Sequence, residues 1–536
     1  MPDSYLPFIN PATGERFGQV LMATPAEARS AVTEMRLAGR DWGQRPVADR
    51  VRALRQLQSV VIDARDEISA TITQDTGKPR QDALIEVFIA VDMLNDICHN
   101  AARWLRRERV SSGLYLFKRS YVEPRPYGVV AIISPWNYPL ALCLPPLVAA
   151  LAAGNTVVLK PSEVTAASGV LVERLIQRVP ELSPFVRVLH GDGAIGSALV
   201  SAPPDYIFLT GSTATGKKVM RAAAEHITPI TCELGGKDAM LVLDDADIAA
   251  AAEWGAWGAY FNAGQTCMAV ERVYVDDTVY DAFVQQAVAA TQALKVGYSL
   301  STDSANQVGP VTFPHQMEII EQHVADALAK GAHILAGGQR HGSFYEPTVL
   351  VNVNHDMLVM QEETFGPLMP IMRAAGEADA IRLANDTPFG LSASVWSRDL
   401  DRAARVARQL QTGSVIINDT IAHFGVPQVP FGGVKESGFG RTHGKAGVLQ
   451  FTQPYGYAIG APPRALDVAT VLRRPGHYWL GTAILRLAFG VTPRQRLEPL
   501  VEEVNRTRLG LAFGAAGLLA AVAFAIGGRR HRRKHR

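Results

Sequence analysis

From Gly128 onward, short apolar runs alternate with helix-like stretches, and this alternation constrains the chain more than any other feature. The runs are Val129–Ile133, Thr156–Lys160, 185–189 and 206–209, and helical patterns beginning near Leu140, Thr165, Gly193 and Thr213 separate them. Strands and helices in such order predict a parallel, doubly wound sheet, because each helical crossover returns the chain parallel to the strand before it. Ligands of these sheets bind beyond the carboxyl ends of the strands. A second alternating block opens at 239–243 and extends to about Asn418, with strand candidates at 272–275 and Ser414–Ile417.

Upstream, Thr24-Pro25-Ala26-Glu27 reads as a capping box with proline at the first helical position, opening a helix through Met35. Further helical patterning covers 47–64 and 81–107, and 114–122 reads as extended, a hairpin leaving the body. A chain of 536 residues that is 48% hydrophobic holds more than one domain with a sizeable core.

Charge and cysteines narrow the functional classes. The net charge of +2 hides an asymmetry: from Arg464 onward there are 14 Lys and Arg against 4 Asp and Glu. The preceding chain therefore keeps 39 basic and 47 acidic residues. Basic runs like those of the tail suit nucleic acid, but the apolar segment inside this tail points first to a membrane and not to nucleic acid. The four cysteines, Cys98, Cys143, Cys232 and Cys267, are scattered and lack metal-ligand spacing. That predicts a reducing compartment and no metal site. The first residues show no basic-then-apolar leader pattern.

Three strand ends carry candidate nucleotide chemistry. Gly191-Asp192-Gly193-Ala194-Ile195-Gly196 matches G-x-G-x-x-G but lacks the acidic residue about 20 positions later that would bind a ribose hydroxyl. Gly211-Ser212-Thr213-Ala214-Thr215-Gly216-Lys217-Lys218 approaches a P-loop, with Lys218 where a magnesium-binding hydroxyl belongs. This predicts a dinucleotide pyrophosphate at a helix N-terminus, with Gly211, Ser212 and Gly216 as contacts, rather than nucleotide hydrolysis. Lys160-Pro161-Ser162-Glu163 closes another strand; its carboxylate suits two ribose hydroxyls and repels a 2′-phosphate, favouring NAD over NADP.

Phe261-Asn262-Ala263-Gly264-Gln265-Thr266-Cys267 places a thiol after small and polar residues. A lone cysteine is more often buried filler than a nucleophile. Its company changes that reading. Pro135-Trp136-Asn137-Tyr138-Pro139, Lys160 to Glu163, Glu233-Leu234-Gly235-Gly236-Lys237, Gly264 to Cys267, Glu362-Glu363-Thr364-Phe365-Gly366-Pro367 and the glycine-rich loop 430–440 occur in one order. Together they resemble the NAD(P)-dependent aldehyde dehydrogenase superfamily over about residues 9–454. Pro-Trp-Asn-Tyr-Pro with a hydrophobic C-terminal extension is similar to the branch that includes the fatty aldehyde dehydrogenases.

The resemblance implies two doubly wound parallel-sheet domains, a β oligomerisation arm and a C-terminal helical membrane tail. It implies 1–112 with 127–235 as the NAD-binding domain, 236–424 as the catalytic domain and 113–126 with 440–460 as the arm of a homodimer or homotetramer. Cys267 becomes the nucleophile of a thiohemiacetal and then a thioester. Asn137 and the Cys267 N–H become oxyanion donors, and Glu233 the base that activates the hydrolytic water, so that the acyl group leaves as an acid and not on coenzyme A. Lys160 and Glu163 match the adenosine-ribose contacts, with Trp136 lining that cleft. Ser212 matches the pyrophosphate contact, Glu363 the nicotinamide-ribose ligand and Phe365 the residue beside the nicotinamide. Lys237 becomes a local ion-pair or hydrogen-bond partner. A thiol esterase or acyltransferase on the same Cys267, and a catalytically silent membrane scaffold, are the competing readings.

Past that body, 509–528 is uncharged and apolar. At ~1.5 Å per residue this run reaches ~30 Å, the thickness of a bilayer core. The basic end 529–536 follows it, and 461–508 reads as a basic amphipathic linker. Membrane attachment with the catalytic body in the cytoplasm is expected. A single span would carry the basic end across the membrane, against the usual bias. The apolar stretch 477–491, interrupted by Arg486, is the alternative second arm or an interfacial segment.

Overall fold

Strands buried on both faces read as continuous apolar runs, and Val129, Val130, Ala131 and Ile132 are all fully buried. In the computed structural model, which describes residues 4–115, 118–460, 469 and 472–496, they form a central strand of a six-stranded sheet. Its order is Gly438–Phe439, Ile230–Glu233, Tyr206–Thr210, Val129–Ile133, Thr156–Lys160, Val186–Val188. Only Gly438–Phe439 runs antiparallel to its neighbour. The chain winds outward to Val186–Val188 and then returns to pair Tyr206–Thr210 with the central strand. The order thus reverses between Val129–Ile133 and Tyr206–Thr210, and a ligand crevice belongs at that point. Register sets Ile133 beside Lys160 and Leu209, and Thr210 beside Glu233. Lys160, Thr210 and Glu233 consequently end on one rim.

The second block forms a seven-stranded sheet ordered His333–Ala336, Thr348–Val351, Leu368–Ala374, Arg272–Asp276, Ala239–Val242, Ser392–Trp396, Ser414–Ile417. It is parallel apart from the His333–Ala336 edge.

Helix boundaries follow local chemistry and then packing. The expected capping box is formed: Thr24 Oγ1 accepts from the Glu27 N–H at 3.2 Å, and Glu27 Oε2 accepts from the Thr24 N–H at 2.7 Å. The helix Pro25–Trp42 continues well beyond Met35. Its far end is anchored by Trp42, which is fully buried and donates from Nε1 to the Leu151 carbonyl at 2.9 Å. Within the expected arm segment 440–460, Gly444–Leu449 is a helix, and the strand Thr452–Gly460 begins after it. Val448 and Phe451 are both fully buried. Residues three apart share a face in a helical turn and oppose one another in a strand.

Contacts divide the chain into two units. The first, Met1–Arg106 with Pro124–Gln453, contains both large sheets. The second comprises Arg107–Glu123 and the chain from Pro454. A three-stranded sheet ordered Thr452–Gly460, Lys118–Pro126, Glu108–Val110 characterises it. There Tyr121 and Tyr457 stack at 5.4 Å, and Arg107 donates to the Tyr457 hydroxyl at 2.9 Å. Its helix Tyr478–Phe489, inside the expected linker, buries no side chain. The expected membrane segment 509–528 and basic end 529–536 lie outside the described residues. Among the described residues no helix is long and apolar enough to cross a membrane.

Candidate active site

Cys267 follows a tight turn at the end of the helix Ile248–Tyr260. Asn262, Ala263 and Gly264 all have left-handed backbones, with φ of 54°, 56° and 72°. For residues other than glycine this costs on the order of 1–3 kcal/mol each. Hydrogen bonds hold the turn: Asn262 Nδ2 donates to the Asn137 and Gln265 carbonyls at 3.1 and 3.2 Å, and Gln265 Nε2 donates to the Asn262 carbonyl at 2.8 Å. Gly264 is needed for space as well, since a Cβ there would lie 2.2 Å from the Gly366 carbonyl oxygen. The 362–367 loop is thereby pressed against the cysteine loop.

Burial, followed by the negative charges of Glu233, Asp238 and Glu363, pushes the Cys267 thiol well above its ordinary pKa. The resting thiol is therefore protonated and needs a base at the moment of attack. Glu233 ends the strand Ile230–Glu233 and is buried. Burial lifts its pKa from 4.5 to about 7, against hydrogen bonds from the Thr442 and Thr210 hydroxyls at 3.3 and 3.5 Å. A carboxyl poised there can accept and release a proton near neutral pH.

The two glycines after Glu233 have steric reasons. A Cβ on Gly235 would lie 2.1 Å from Glu363 Oε2, and one on Gly236 would lie 2.6 Å from the Cys267 carbonyl oxygen. The Gly236 N–H donates to Glu363 Oε1 at 3.0 Å. Base, nucleophile and Glu363 are thus packed around one bare stretch of backbone. Burial and the Glu271 charge lift the Glu363 pKa to about 8. Lys237 pairs not with Glu233 but with Glu271, at 2.6 Å. Glu271 also accepts from the Thr364 and Phe365 N–H groups, both at 2.8 Å, and so fixes the loop carrying Glu363 and Phe365. No sequence motif marked Glu271, Thr210 or Thr442.

Asn137 is buried, and its Nδ2 donates to the Gln265 carbonyl at 3.0 Å. That carbonyl fixes the amide orientation, because the Asn137 oxygen cannot face it. The same nitrogen carries a second N–H.

At the cofactor end, Lys160 and Glu163 form an ion pair at 2.7 Å on the sheet rim. Ser212 caps the helix Thr213–Ala224, accepting from the Thr215 N–H at 3.2 Å, and is exposed beside Gly211. One expected contact differs. Gly216 is buried one turn inside that helix, where a Cβ would lie 2.7 Å from Leu234 Cδ2, so it admits a leucine and not a phosphate. Trp136, expected to line the cleft of Lys160 and Glu163, packs edge-on against Phe365 at 5.4 Å. At the other glycine motif, Asp192 caps its own helix by accepting from the Ala194 N–H at 2.9 Å. A carboxylate already occupies the place a phosphate would need. The remaining residues suit a dinucleotide: a helix N-terminus at the switch point, a ribose-type carboxyl at Glu163 and a second carboxyl, Glu363, at the thiol end.

Beside Glu233 opens a slot walled by Met93, Leu142, Pro145, Pro146, Phe424 and Phe451, with Thr210 and Thr442 at its polar end. It encloses about 510 Å³ of free space, its mouth included. A water-sized sphere can be centred in only about 40 Å³ of it, which makes it narrow. Met93, Leu142 and Phe424 also belong to the apolar cluster of Tyr138, Phe261 and Met268 on which Cys267 packs.

A doubly wound sheet with a crevice at its switch point, facing a protonated thiol and a carboxyl poised near neutral pH, defines a class: an oxidoreductase that works on a carbonyl through a cysteine. The chain belongs to the aldehyde dehydrogenase family, whose model matches residues 2–455. It is 42% identical to 4,4'-diapolycopene aldehyde oxidase of Methylomonas sp over 449 residues, 83% of this chain and 84% of that one. The NADP+-linked succinate-semialdehyde dehydrogenase of Escherichia coli (strain K12) is 36% identical over 456 residues, 84% of this chain and 93% of that one. The solved betaine aldehyde dehydrogenase of Staphylococcus aureus in complex with NAD+ superposes with a TM-score of 0.82 at 32% identity, covering 87% of this chain and 93% of that one. The protein is an aldehyde dehydrogenase that uses NAD(P).

Proposed function

We propose that the enzyme oxidises unbranched apolar aldehydes to carboxylic acids, with NAD preferred, while attached to a membrane. The apolar slot carries the substrate reading. No Lys or Arg lines it among the described residues, whereas a semialdehyde of a dicarboxylic acid would need a cation for its second carboxylate. An apolar chain needs none, and the narrowness of the slot suits an extended tail. The similarity to 4,4'-diapolycopene aldehyde oxidase supports the same class.

In this reading Glu233 takes the Cys267 proton, the thiolate adds to the aldehyde carbon, and the resulting oxyanion is held by Asn137 Nδ2–H and the Cys267 N–H. NAD(P)+ held by Lys160, Glu163, Ser212 and Glu363 would supply the hydride acceptor, so that the Cys267 adduct would become a thioester. Glu233, once it has passed the first proton to solvent, removes a proton from water, hydroxide adds to the thioester, and the tetrahedral adduct expels the thiolate and releases the acid. Lys160, Glu163 and Ser212 hold the adenosine and pyrophosphate end, and Glu363 the ribose nearest the thiol. The carboxylate of Glu163 is the basis for preferring NAD.

The apolar run 509–528 and the basic end after it support attachment to a membrane, as in the fatty aldehyde dehydrogenase branch, with the catalytic body cytoplasmic. The three-stranded sheet supports assembly as a homodimer or homotetramer. A panel of linear aldehydes, semialdehydes and betaine-type aldehydes tests the substrate class by kcat/KM. Linear aldehydes of increasing length are expected to win, and a semialdehyde or cationic aldehyde turning over best would overturn the proposal.

A further inference from the structure

A fully buried ion pair costs desolvation energy that is offset only when its remaining donors and acceptors are used. Lys78 and Glu86 form such a pair at 2.6 Å, with side chains 1% and 0% exposed. Their partners all lie on one short segment. Lys78 Nζ donates to the Asn137 carbonyl at 2.6 Å and sits 4.3 Å from the centre of the Tyr138 ring. Glu86 Oε2 accepts from the Leu140 and Ala141 N–H groups at 3.1 and 3.3 Å. The pair therefore grips the turn 137–141 at both ends, by a carbonyl at one and two N–H groups at the other. It is itself fixed from below. Lys78 follows Gly77, where φ is 80° and a Cβ would lie 2.2 Å from Pro310 Cγ, and Glu86 stands on the long helix Arg80–Trp104.

We propose that Lys78 and Glu86 are the positioning residues for the oxyanion donor Asn137. They touch neither substrate nor cofactor and act by holding the backbone from which the Asn137 amide projects. The inference rests on the roles assigned above to Cys267 and Asn137. Oxyanion stabilisation needs its donor placed to within a fraction of an ångström, and a 1 Å error costs roughly 100-fold. A buried pair tied to three main-chain groups of one turn supplies that rigidity, and a change at 78 or 86 is transmitted to Asn137 because no other element lies between them.

The test uses the full chain and the acylation of Cys267 by a 4-nitrophenyl ester of a fatty acid, which forms the same oxyanion without requiring any particular aldehyde. Replacing both partners, Lys78→Met with Glu86→Gln, in a chain that also carries Asp82→Asn, removes the pair without stranding the buried carboxyl that Lys78 faces. Acylation is expected to slow about 10- to 100-fold while KM and NAD affinity stay within about twofold. In an Asn137→Ala background the same double change is expected to cost less than about twofold, because the donor it positions is already gone. Losses that multiply in that background, or a full rate in the pair variant, would overturn the proposal. If the pair variant does not fold, Lys78→Arg serves: it keeps the charge but cannot place one nitrogen on both partners, so a reduced rate at unchanged KM supports the proposal and a full rate overturns it. An unmodified enzyme that the ester fails to acylate would refute the Cys267 assignment itself.

Discussion

Replacing Glu233 by Gln is expected to stabilise the folded enzyme while removing its activity, and the stabilisation should depend on pH in one direction. Glu233 is 5% exposed, and burial raises its pKa from an ordinary 4.5 to about 7. A carboxyl raised on folding favours the native state fully below pH 4.5, and that contribution is lost as pH climbs through 7. At about 1.4 kcal/mol for each tenfold change in ionisation, the cost of holding Glu233 ionised is about 3 kcal/mol at pH 8 and under about 1 kcal/mol at pH 5. Gln keeps the side-chain shape, accepts from one of the Thr442 and Thr210 hydroxyls, donates to the oxygen of the other, and never ionises. The Tm of Glu233→Gln should therefore exceed that of the parent clearly at pH 8 and only slightly at pH 5, measured by thermal melts of the full chain. The parent's kcat/KM should rise through an inflection near pH 7 that the variant lacks, on a rate lowered at least ~100-fold. An equal Tm difference at both pH values, or a parent profile flat between pH 6 and 8, would refute the argument that burial tunes this carboxyl.

Gly264→Ala should abolish activity and lower Tm, because the new methyl meets the Gly366 carbonyl and the left-handed φ disfavours it; a soluble, fully active variant would count against the close approach of the two loops. Glu163→Gln should raise kcat/KM with NADP relative to NAD by about tenfold or less, since Lys160 then lacks its carboxylate partner and can face a 2′-phosphate; an unchanged cofactor ratio would remove Glu163 from the ribose site. Glu271→Gln should weaken NAD binding without altering ester acylation, as it loosens the Thr364 and Phe365 main chain but leaves Cys267 and Asn137 in place; comparing NAD titration with ester kinetics checks this. Ending the chain after Gln495 should release the enzyme from membranes in sedimentation, and continued pelleting would argue against attachment through the tail.

What could be read ahead of the structure divides along a physical line. The two sheets were legible because their strands are buried on both faces, so that runs such as Val129–Ile133 carry the signal in consecutive residues. Cys267, Glu233 and Asn137 were legible because each stands in a motif that ties chemistry to its neighbours in the chain. Gly216 was misread as a phosphate contact because a glycine that makes room for a phosphate and one that makes room for Leu234 are the same residue; only the packing partner differs. The contact of Trp136 with Phe365 was not legible for a related reason, since the two rings are more than two hundred positions apart in the chain. Lys78, Glu86 and Glu271 left no local trace, because each acts through main-chain groups on a distant loop and any sequence can supply those. The same distinction accounts for Gly235 and Gly236. Their presence beside Glu233 is visible in the chain, but the reason for it, that a Cβ would meet the Glu363 carboxyl at 2.1 Å on one and the Cys267 carbonyl at 2.6 Å on the other, exists only once three distant segments have met. The part of such a site that a motif displays is thus the backbone that must stay bare, and residues such as Lys78, Glu86 and Glu271 that hold it are the ones a motif does not contain.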